Sequence, residues 1–467
     1  MIHKLITTDE IRNLFNEIEN STDNFFLTGE AGTGKSTFIN HFRSLSKKNV
    51  AVIAPTGIAA LNIRGQTIHS FFRFPGIILT KEVINRFKDR DEMLYKSLDT
   101  IVIDEVSMVR ADLLDAIDWF MRKFGKDQDK PFGGCQILLV GDPFQLPPVV
   151  KGPEEKILQD HHGYRSPYFF AADVYQAGNF QVRKLSNIFR QEDREFIEAL
   201  NKIRKKNLVS EGLEYINQRA FIQSNNRSTK TTLTTVNKVA DNINDSDLQK
   251  IEKPSWFSEA KIEGIFPKDK NNIPAKYKLE LRVGARVMFC KNGSRWVNGT
   301  MGIVHRLEPE AVYVEKDKTN EIVKVEQETW ENIQYQYDKQ SRIVETKTIG
   351  LFKQFPLVLA YAITVNKSQG LTLDRVHIDF SKSPFLHGQT YVALSRCKTL
   401  DGITLNREIY PNDIIVDPRV EDFYKKAVPP SPPEPPEPPE PPKKNNIGPI
   451  LVSIAFVILI LVLINIF

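Results

Sequence analysis

The chain has 467 residues, of which 41% are hydrophobic and 26% are charged, so it has the composition of an ordinary folded protein and is too long for one hydrophobic core. Its formal net charge of +5 is compatible with a nucleic-acid partner but is too small to establish one. The three cysteines, Cys135, Cys290 and Cys397, form no C-x-x-C pair, which argues against a disulfide framework or a zinc site and favours a reducing compartment.

The first element with chemical meaning is a phosphate-binding loop. Residues 24–37 read NFFLTGEAGTGKST, in which an apolar strand leads into the pattern G-x-x-x-x-G-K-S and then into a helical segment. Backbone N–H groups of such a loop surround the β-phosphate, Lys35 reaches the β- and γ-phosphates, and the Ser36 hydroxyl binds Mg²⁺. The predicted ATP-binding residues are Gly29, Glu30, Ala31, Gly32, Thr33, Gly34, Lys35, Ser36 and Thr37.

Apolar runs alternate with helical patterns after the loop. The runs at 50–55, 100–105 and 136–142 are almost continuously apolar, which is typical of parallel strands covered on both faces. This part of the chain therefore predicts an α/β nucleotide-binding layer.

Polar residues follow two of these strands. TIVIDEVSM ends its strand with two carboxylates, and hydrolysis needs both: Asp104 to hold Mg²⁺ and Glu105 to orient the attacking water. In GDPFQLPPV, the amide of Gln145 is suited to sense the γ-phosphate, and a proline-rich turn with an exposed glutamine is the alternative.

The second half of the chain, from about Gln181, has α/β segments without a second P-loop. Between them lies a segment, LELRVGARVMFCKNGSRWVNGTMGIVHRLEPEAVYVEKD, with short β-branched runs and Asn-Gly turns. This pattern predicts a small β-barrel insert.

The composition changes abruptly from Ala427. A Pro/Glu-rich stretch typical of a polyproline II spacer is followed by an uncharged, almost purely aliphatic stretch from Gly448 to Phe467. About twenty such residues match the ~30 Å hydrocarbon core of a bilayer. The stretch predicts a C-terminal membrane anchor in contact with lipid.

Six segments in this order resemble the petite-integration-frequency (PIF-type) DNA helicases, the RecD-like, 5′-to-3′ branch of helicase superfamily one. The segments are APTGIAALNIRGQTIHSFF (54–72), IVIDEVSMV (101–109), PFGGCQILLVGDPFQLPPV (131–149), LSNIFRQ (185–191), AITVNKSQGLTLDRV (362–376) and YVALSRCKTLDGI (391–403). The resemblance implies an ATP site with Mg²⁺ between two RecA-like domains, and it adds Gly370 to the ATP-binding residues.

The resemblance also implies roles for particular side chains. Arg190 and Arg396 are expected as arginine fingers supplied by the second domain, since a guanidinium that reaches the γ-phosphate stabilises transition-state charge. Together with Lys35, Asp104, Glu105 and Gln145 they form the predicted catalytic set.

Single-stranded DNA is expected to cross both domains. The resemblance places its contacts at Pro55, Thr56, His69 and Phe72 in the first domain and at Thr364, Asn366, Lys367 and Ser368 in the second. For Phe72 a place in the core is an equally good interpretation.

Two positions depart from the family pattern. Asn366 stands where the family usually has histidine, which puts one DNA or interdomain contact in doubt. Ile11 stands where a glutamine commonly reads adenine, so the base specificity is left open.

The predicted fold class is α/β, with two RecA-like P-loop domains, a small SH3-like β-barrel insert in the second, a Pro-rich linker and a C-terminal transmembrane helix. The predicted boundaries are 1–180 for the first RecA-like domain with a small wedge insertion, 181–280 and 351–426 for the second, 281–350 for the insert, 427–446 for the linker and 447–467 for the tail anchor.

The predicted function is that of an ATP-dependent 5′-to-3′ DNA helicase acting on single-stranded and forked DNA in repair, recombination or telomere-type genome maintenance. We expect a monomeric motor tethered to a membrane, with its catalytic domains on the cytoplasmic side. A RecD-like motor subunit of a larger complex and a membrane-tethered single-strand DNA-binding protein are the alternatives.

Overall fold

The computed structural model describes residues 8–428 apart from 89–91, 151–153, 161–162, 192, 207, 221–229, 267–272, 318, 339 and 342. The first layer is built from α1 (Asp9–Glu19), β1 (Phe25–Gly29), α2 (Lys35–Leu45), β2 (Val50–Ala54), α3 (Gly57–Asn62), β3 (Gln66–Thr67), α4 (Ile68–Phe72), α5 (Lys81–Asn85), α6 (Glu92–Ser97), β4 (Thr100–Ile103), α7 (Ala111–Phe124), β5 (Gln136–Val140), α8 (Glu154–Asp160), α9 (Asp173–Ala177) and β6 (Gln181–Leu185).

The strands of the first layer form a parallel sheet in the order β3-β2-β4-β5-β1-β6. Every residue of β1, β4 and β5 is buried, because helices cover both faces of the sheet. The parallel arrangement predicted from the continuous apolar runs is confirmed.

Strand β6 changes the predicted domain boundary. It pairs in parallel with β1 along its whole length, from Phe25 opposite Gln181 to Gly29 opposite Leu185. The first layer therefore extends to Leu185, beyond the predicted boundary at 180.

The second layer begins with α10 (Arg194–Arg204), α11 (Val209–Asn217), β7 (Thr231–Thr234) and α12 (Asn237–Gln249). After an insert it continues with β18 (Ala362–Thr364), β19 (Val376–Asp379), α13 (Gln389–Leu394), β20 (Ile403–Leu405) and α14 (Pro418–Ala427). Its sheet has the order β18-β7-β19-β20, and all three pairings are parallel.

The insert is larger than the predicted 281–350. It contains β8 (Trp256–Glu259), β9 (Lys261–Gly264), β10 (Lys278–Leu281), β11 (Arg286–Phe289), β12 (Met301–Leu307), β13 (Val312–Lys316), β14 (Ile322–Val325), β15 (Glu328–Asp338), β16 (Ile343–Gln354) and β17 (Leu357–Leu359). One antiparallel sheet has the order β14-β13-β12-β11-β17 over its own apolar core, and β16 lies between β15 and β9 in another.

The β15–β16 hairpin reaches from the insert to the first layer. The Tyr335 hydroxyl accepts a hydrogen bond from the Val52 backbone N–H (2.9 Å) and donates one to the Val52 carbonyl (3.3 Å). The short β3 pairs only with Ile53 and Ala54 of β2. The Tyr335 hydroxyl therefore continues the hydrogen bonding of β2 along the side that faces β3. Tyr335 is 3% exposed and belongs to the first-layer core.

Helix α14 packs back on the first layer. Val420 is fully buried, and the ring of Phe423 stacks on that of Phe170 with 4.2 Å between centroids. The last described helix thus holds elements from both layers together.

The predicted fold class is wrong in including a transmembrane helix. Within the part of the chain that the structure describes, every helix is too short or too polar to cross a bilayer. The described fold is mixed α/β without a spanning helix. The predicted linker beyond Val428 and the predicted anchor at 447–467 lie outside the described residues, and the membrane location stays a prediction.

Candidate active site and DNA-binding surface

The P-loop connects β1 to α2 at the carboxyl edge of the first sheet. Gly32 has φ +90°, and a Cβ there would lie 2.5 Å from the Cβ of Arg190, so only glycine fits. The Lys35 ammonium donates to the carbonyls of Gly29 (2.7 Å) and Glu30 (3.0 Å). Burial lowers the pKa of Lys35, whereas the nearby Asp142 and Glu105 carboxylates act in the opposite direction.

Asp104 and Glu105 follow β4 beside this loop. Glu105 has φ +50°, an uncommon conformation for a residue with a side chain and one that is often found at functional sites. Asp104 accepts a hydrogen bond from the Glu105 N–H (2.9 Å). Burial and the Glu105 charge raise the pKa of Asp104 to about 7, and burial also raises the pKa of Glu105. The pair is thus a largely desolvated acidic site next to the partly buried Lys35.

A residue of the second layer, Gln369, contacts this acidic site. Its side-chain Nε2 donates to Oε2 of Glu105 (2.8 Å) and lies 3.3 Å from Oε1 of Gln145, which is 5% exposed. Gln369 was not predicted as a site residue. The available signal was its place in the VNKSQG segment, directly after the predicted DNA contacts.

The predicted arginine fingers lie together, but they come from different layers. Arg190 follows β6 of the first sheet, and the N–H of the preceding Phe189 donates to the Gly32 carbonyl (2.9 Å). Only Arg396 is supplied by the second layer, so the prediction that both are is wrong for Arg190. The Arg190 guanidinium donates to the Ser395 carbonyl (3.2 Å) across the cleft between the two layers.

Arg396 is 1% exposed and donates to the carbonyls of Val392 (2.9 Å) and Ser368 (3.3 Å). Burial and the neighbouring charge of Arg190 lower the pKa of Arg396. Because the positive charges of Arg190 and Arg396 repel each other, an anion with several charges, such as a polyphosphate, would stabilise both guanidiniums.

Helix α13 fits closely against the first layer. The Tyr391 hydroxyl accepts a hydrogen bond from the N–H of Ala31 in the P-loop (2.9 Å). Just before the helix, Gly388 has φ +70°, and a Cβ there would lie 2.3 Å from the Phe144 carbonyl oxygen and 2.7 Å from that of Gln145. The element that leads to Arg396 therefore touches both the P-loop and the Gln145 loop.

A buried ion pair supports the Gln145 loop from behind. Asp142 and Arg204 of α10 are both inaccessible to solvent and lie 2.7 Å apart, and the Arg204 guanidinium lies 4.3 Å from the centroid of the Phe144 ring. Sequence reasoning missed this pair, because nothing local in the sequence relates the two positions.

The structure brings most of the predicted nucleotide site to one cavity of about 1370 Å³. The residues of the predicted set that line it are Ala31, Gly32, Gly34, Lys35, Ser36, Thr37, Glu105, Gln145, Arg190, Gly370 and Arg396. Ile11, by contrast, is 1% exposed in the first-layer core and offers no group to a base.

The predicted DNA contacts of the first layer lie at the carboxyl ends of β2 and β3. Pro55, Thr56 and His69 are partly accessible, and burial followed by the charge of Arg110 lowers the pKa of His69, so the imidazole is neutral at pH 7. Phe72 is 1% exposed and lies between the rings of Phe74 and Tyr95. The prediction that Phe72 contacts DNA is wrong, because its ring is part of the core.

In the second layer, Asn366 and Lys367 are exposed after β18. Thr364 and Ser368 are buried, and their hydroxyls shape the loop: Thr364 accepts from the Lys367 N–H (3.4 Å) and Ser368 donates to the Val365 carbonyl (2.7 Å). The side chains of Thr364 and Ser368 are thus turned into the loop and not towards solvent, which contradicts their prediction as direct side-chain contacts with DNA.

Known proteins resemble this chain along most of its length. Residues 6–212 match the family model described as PIF1-like helicase. The chain is 33% identical to the ATP-dependent DNA helicase Pif1 of Bdellovibrio bacteriovorus, over 87% of this chain and 89% of that protein. It is 31% identical to the protein of the same name from Campylobacter jejuni, over 88% of this chain and 97% of that protein.

Solved structures of Pif1 proteins also resemble this chain along most of its length. Unliganded Pif1 from Bacteroides sp is 39% identical with a TM-score of 0.81, covering 91% of this chain and 98% of that one. Bacteroides Pif1 bound to ssDNA is 38% identical with a TM-score of 0.65, covering 90% and 96%. The present structure is thus more similar to the unliganded relative than to the DNA-bound one.

Proposed function

The chain belongs to the PIF1-like helicase family and is an ATP-dependent DNA helicase, and from this premise we propose that it translocates 5′ to 3′ on single-stranded DNA and unwinds forks. The relatives in solved structures include Pif1 proteins with ssDNA and with forked dsDNA, which supports these substrates. We further propose that it acts as a monomeric motor in repair, recombination or telomere-type maintenance of a genome.

The observation that carries the proposal is the hydrogen bond from Gln369 to Glu105. Glu105 is the carboxylate that would orient the attacking water, and Gln369 follows the segment 366–368 expected at the DNA. A change in the position of that segment on DNA would therefore change the position of the hydrolytic carboxylate.

Closure of the cleft between the two layers would produce the movement along DNA. When Arg396 approaches the γ-phosphate, the second layer moves towards the P-loop, and the surfaces around His69 and Lys367 come closer together. Hydrolysis removes the γ-phosphate contact and lets the layers separate. A strand held alternately by the two surfaces is moved along, and its complement is displaced.

The residues present fit a magnesium ion. Asp104 is a buried carboxylate whose raised pKa reflects its unfavourable desolvation, and Ser36, the second residue of α2, lines the cavity. We propose that these two side chains hold Mg²⁺, which would neutralise charge on the phosphates.

The alternative of a DNA-binding protein without a motor is less well supported. A binding module would not need two guanidiniums, the Glu105 carboxylate and Lys35 around one cavity. A RecD-like motor subunit differs from the proposal only in requiring partners for processive unwinding.

The test is ATP turnover of the full chain with and without single-stranded DNA, combined with unwinding of forks. We expect DNA to stimulate turnover, forks with a 5′ tail to open and forks with only a 3′ tail to remain closed. A Lys35→Ala chain that hydrolysed ATP at the parent rate would refute the site, and opening of 3′-tailed forks would refute the direction.

A further inference from the structure

The loop that follows β19 at the carboxyl edge of the second sheet is held rigidly. The backbone of Phe380 is bonded at both ends, with its N–H donating to Asn406 Oδ1 (2.9 Å) and its carbonyl accepting from Arg407 Nε (3.2 Å). Further along, the Lys382 carbonyl accepts from the Thr235 hydroxyl (3.0 Å). These bonds fix the path of the loop before it reaches its tip.

At the tip, Pro384 is buried but the next residue, Phe385, is 59% exposed. The Phe385 N–H donates to Oε1 of Gln389 (3.1 Å), whose side chain is fully buried. An exposed ring on a fixed backbone gives up the stabilisation that burial would provide. It is, however, well placed to bind a flat apolar partner, because little ordering is needed on binding.

The register of the sheet places this loop beside the predicted DNA contacts. Thr364, Thr234 and Asp379 lie opposite one another in one row across β18, β7 and β19. The row marks the carboxyl ends of three adjacent parallel strands, with about 4.8 Å between neighbours. Lys367 follows the first of these strands and Phe385 follows the third.

Charge at the same edge fits a nucleic acid. Lys367 and Lys382 are both exposed, one in each of the two loops. Proteins that bind single strands combine cations along the phosphate backbone with aromatic rings on which bases stack. The two loops provide both groups at one edge of one sheet.

We propose that Phe385 is a stacking platform for one base of the bound single strand, with Lys382 beside it on the phosphate backbone. The inference rests on the proposed function, since it adds a contact to the strand that the motor moves. It gives the second layer an apolar contact with a base, so that its hold on DNA does not depend on Lys367 alone.

The test is binding of a fluorescein-labelled oligothymidylate of about 12 nucleotides to the full chain, followed by anisotropy. Phe385→Ala should weaken binding by about 5- to 150-fold, the range for loss of one stacked base. Phe385→Leu should weaken it similarly, because it keeps apolar area but has no aromatic face. Phe385→Trp should restore binding. ATP turnover without DNA should not change in any of the three.

The matched control is Phe257→Ala, which removes a ring that is 51% exposed on β8 of the insert. We expect parent affinity for this variant. Equal affinities for parent and Phe385→Ala, or an equal loss with Phe257→Ala, would overturn the inference.

Salt dependence separates the two proposed contacts. Lys382→Ala should reduce the slope of log affinity against log salt by about 0.7, whereas Phe385→Ala should lower affinity at an unchanged slope. An unchanged slope for Lys382→Ala would remove that residue from the proposal.

If the parent binds the oligonucleotide but DNA does not stimulate its ATP turnover, the proposed motor function fails while this binding series still decides the role of Phe385.

Discussion

The amide of Gln369 in the second layer donates a hydrogen bond to the carboxylate of Glu105 in the first, with 2.8 Å between Nε2 and Oε2. Glu105 is half-buried and lines the cavity, and this bond is one of the interactions that oppose the rise of its pKa. The contact therefore stabilises the charged carboxylate, which is the form needed to orient water.

Replacing Gln369 should uncouple DNA binding from hydrolysis. In Gln369→Ala we expect DNA-stimulated ATP turnover to fall by about tenfold to a hundredfold, because Glu105 loses its orienting partner. Affinity for single-stranded DNA should stay within about threefold of the parent, since Gln369 itself points into the cleft. Gln336→Ala is the control, since Gln336 makes the same kind of bond to Glu345 (2.6 Å), and both residues are exposed. Normal stimulation in Gln369→Ala would contradict the prediction.

The arginine finger of the second layer should be needed for chemistry rather than for binding. Arg396→Ala should lower ATP turnover by about 10³ or more, because its charge acts on the transition state. ADP affinity should change much less. The exposed Arg306→Ala on the insert is the control, and turnover near the parent rate in Arg396→Ala would show that the finger is assigned incorrectly.

Gly388 should be required for close contact of the layers. Gly388→Ala places a Cβ 2.3 Å from the Phe144 carbonyl oxygen, so the Gln145 loop or α13 must move. We expect ATP turnover to fall by about a hundredfold, as for a displacement of about 1 Å at a catalytic group. Gly163→Ala has the same backbone strain at φ +72°, but a Cβ there meets nothing within 4 Å. Similar losses in the two variants would mean that strain, and not the contact, is responsible.

The two predicted DNA contacts Lys367 and His69 should differ in how DNA binding depends on salt. Lys367→Ala should weaken binding of single-stranded DNA and reduce the slope of log affinity against log salt by about 0.7, because one phosphate is no longer neutralised. His69→Ala should weaken binding at an unchanged slope, because its lowered pKa leaves the imidazole neutral at pH 7. Titrations at several salt concentrations check both, and a reduced slope in His69→Ala would indicate a charged histidine.

Asp115 should make folding stability depend on pH. It is 1% exposed, and burial raises its pKa to about 6 from 3.8, although Val174, Asp173 and Tyr164 donate hydrogen bonds to it. Between these values the unfolded chain binds fewer protons than the native one, so the free energy of unfolding falls as pH rises. The stability contribution is full below about pH 3.8 and is lost as pH rises through 6.

The size of this effect is about 3 kcal/mol, from a shift of about two pKa units. Asp115→Asn removes the titration, so the stability of the parent minus that of the variant should fall by about this amount between pH 4 and pH 7. Denaturant unfolding at a series of pH values measures it. A constant difference would contradict the assignment.

The sequence was sufficient where chemistry depends on local order. Gly29 to Ser36 and the pair Asp104 and Glu105 could be placed because a P-loop and a strand end are recognisable from adjacent residues. Their meeting at one edge of the sheet followed from the rule that open parallel sheets bind ligands at the carboxyl ends of their strands.

Other features depend on contacts between residues that are far apart in the sequence or that only packing brings together. Nothing around Gln181 indicates that β6 joins β1 instead of starting the second layer, so Arg190 was assigned to the wrong side of the cleft. Phe71 and Phe72 are adjacent aromatic residues, and only packing against Phe74 and Tyr95 decides that Phe72 is in the core. Gln369 gains its role from a carboxylate 264 positions away.

The hydroxyl of Tyr335 has a further consequence for any attempt to produce the first layer alone. It occupies the backbone N–H and carbonyl of Val52 on the side of β2 that β3 leaves unpaired. A fragment without the insert would present these groups to the solvent at a strand edge, which is where sheets of separate molecules join. The β15–β16 hairpin therefore also protects the first layer against self-association, and a soluble fragment would need a polar or charged residue to block this edge.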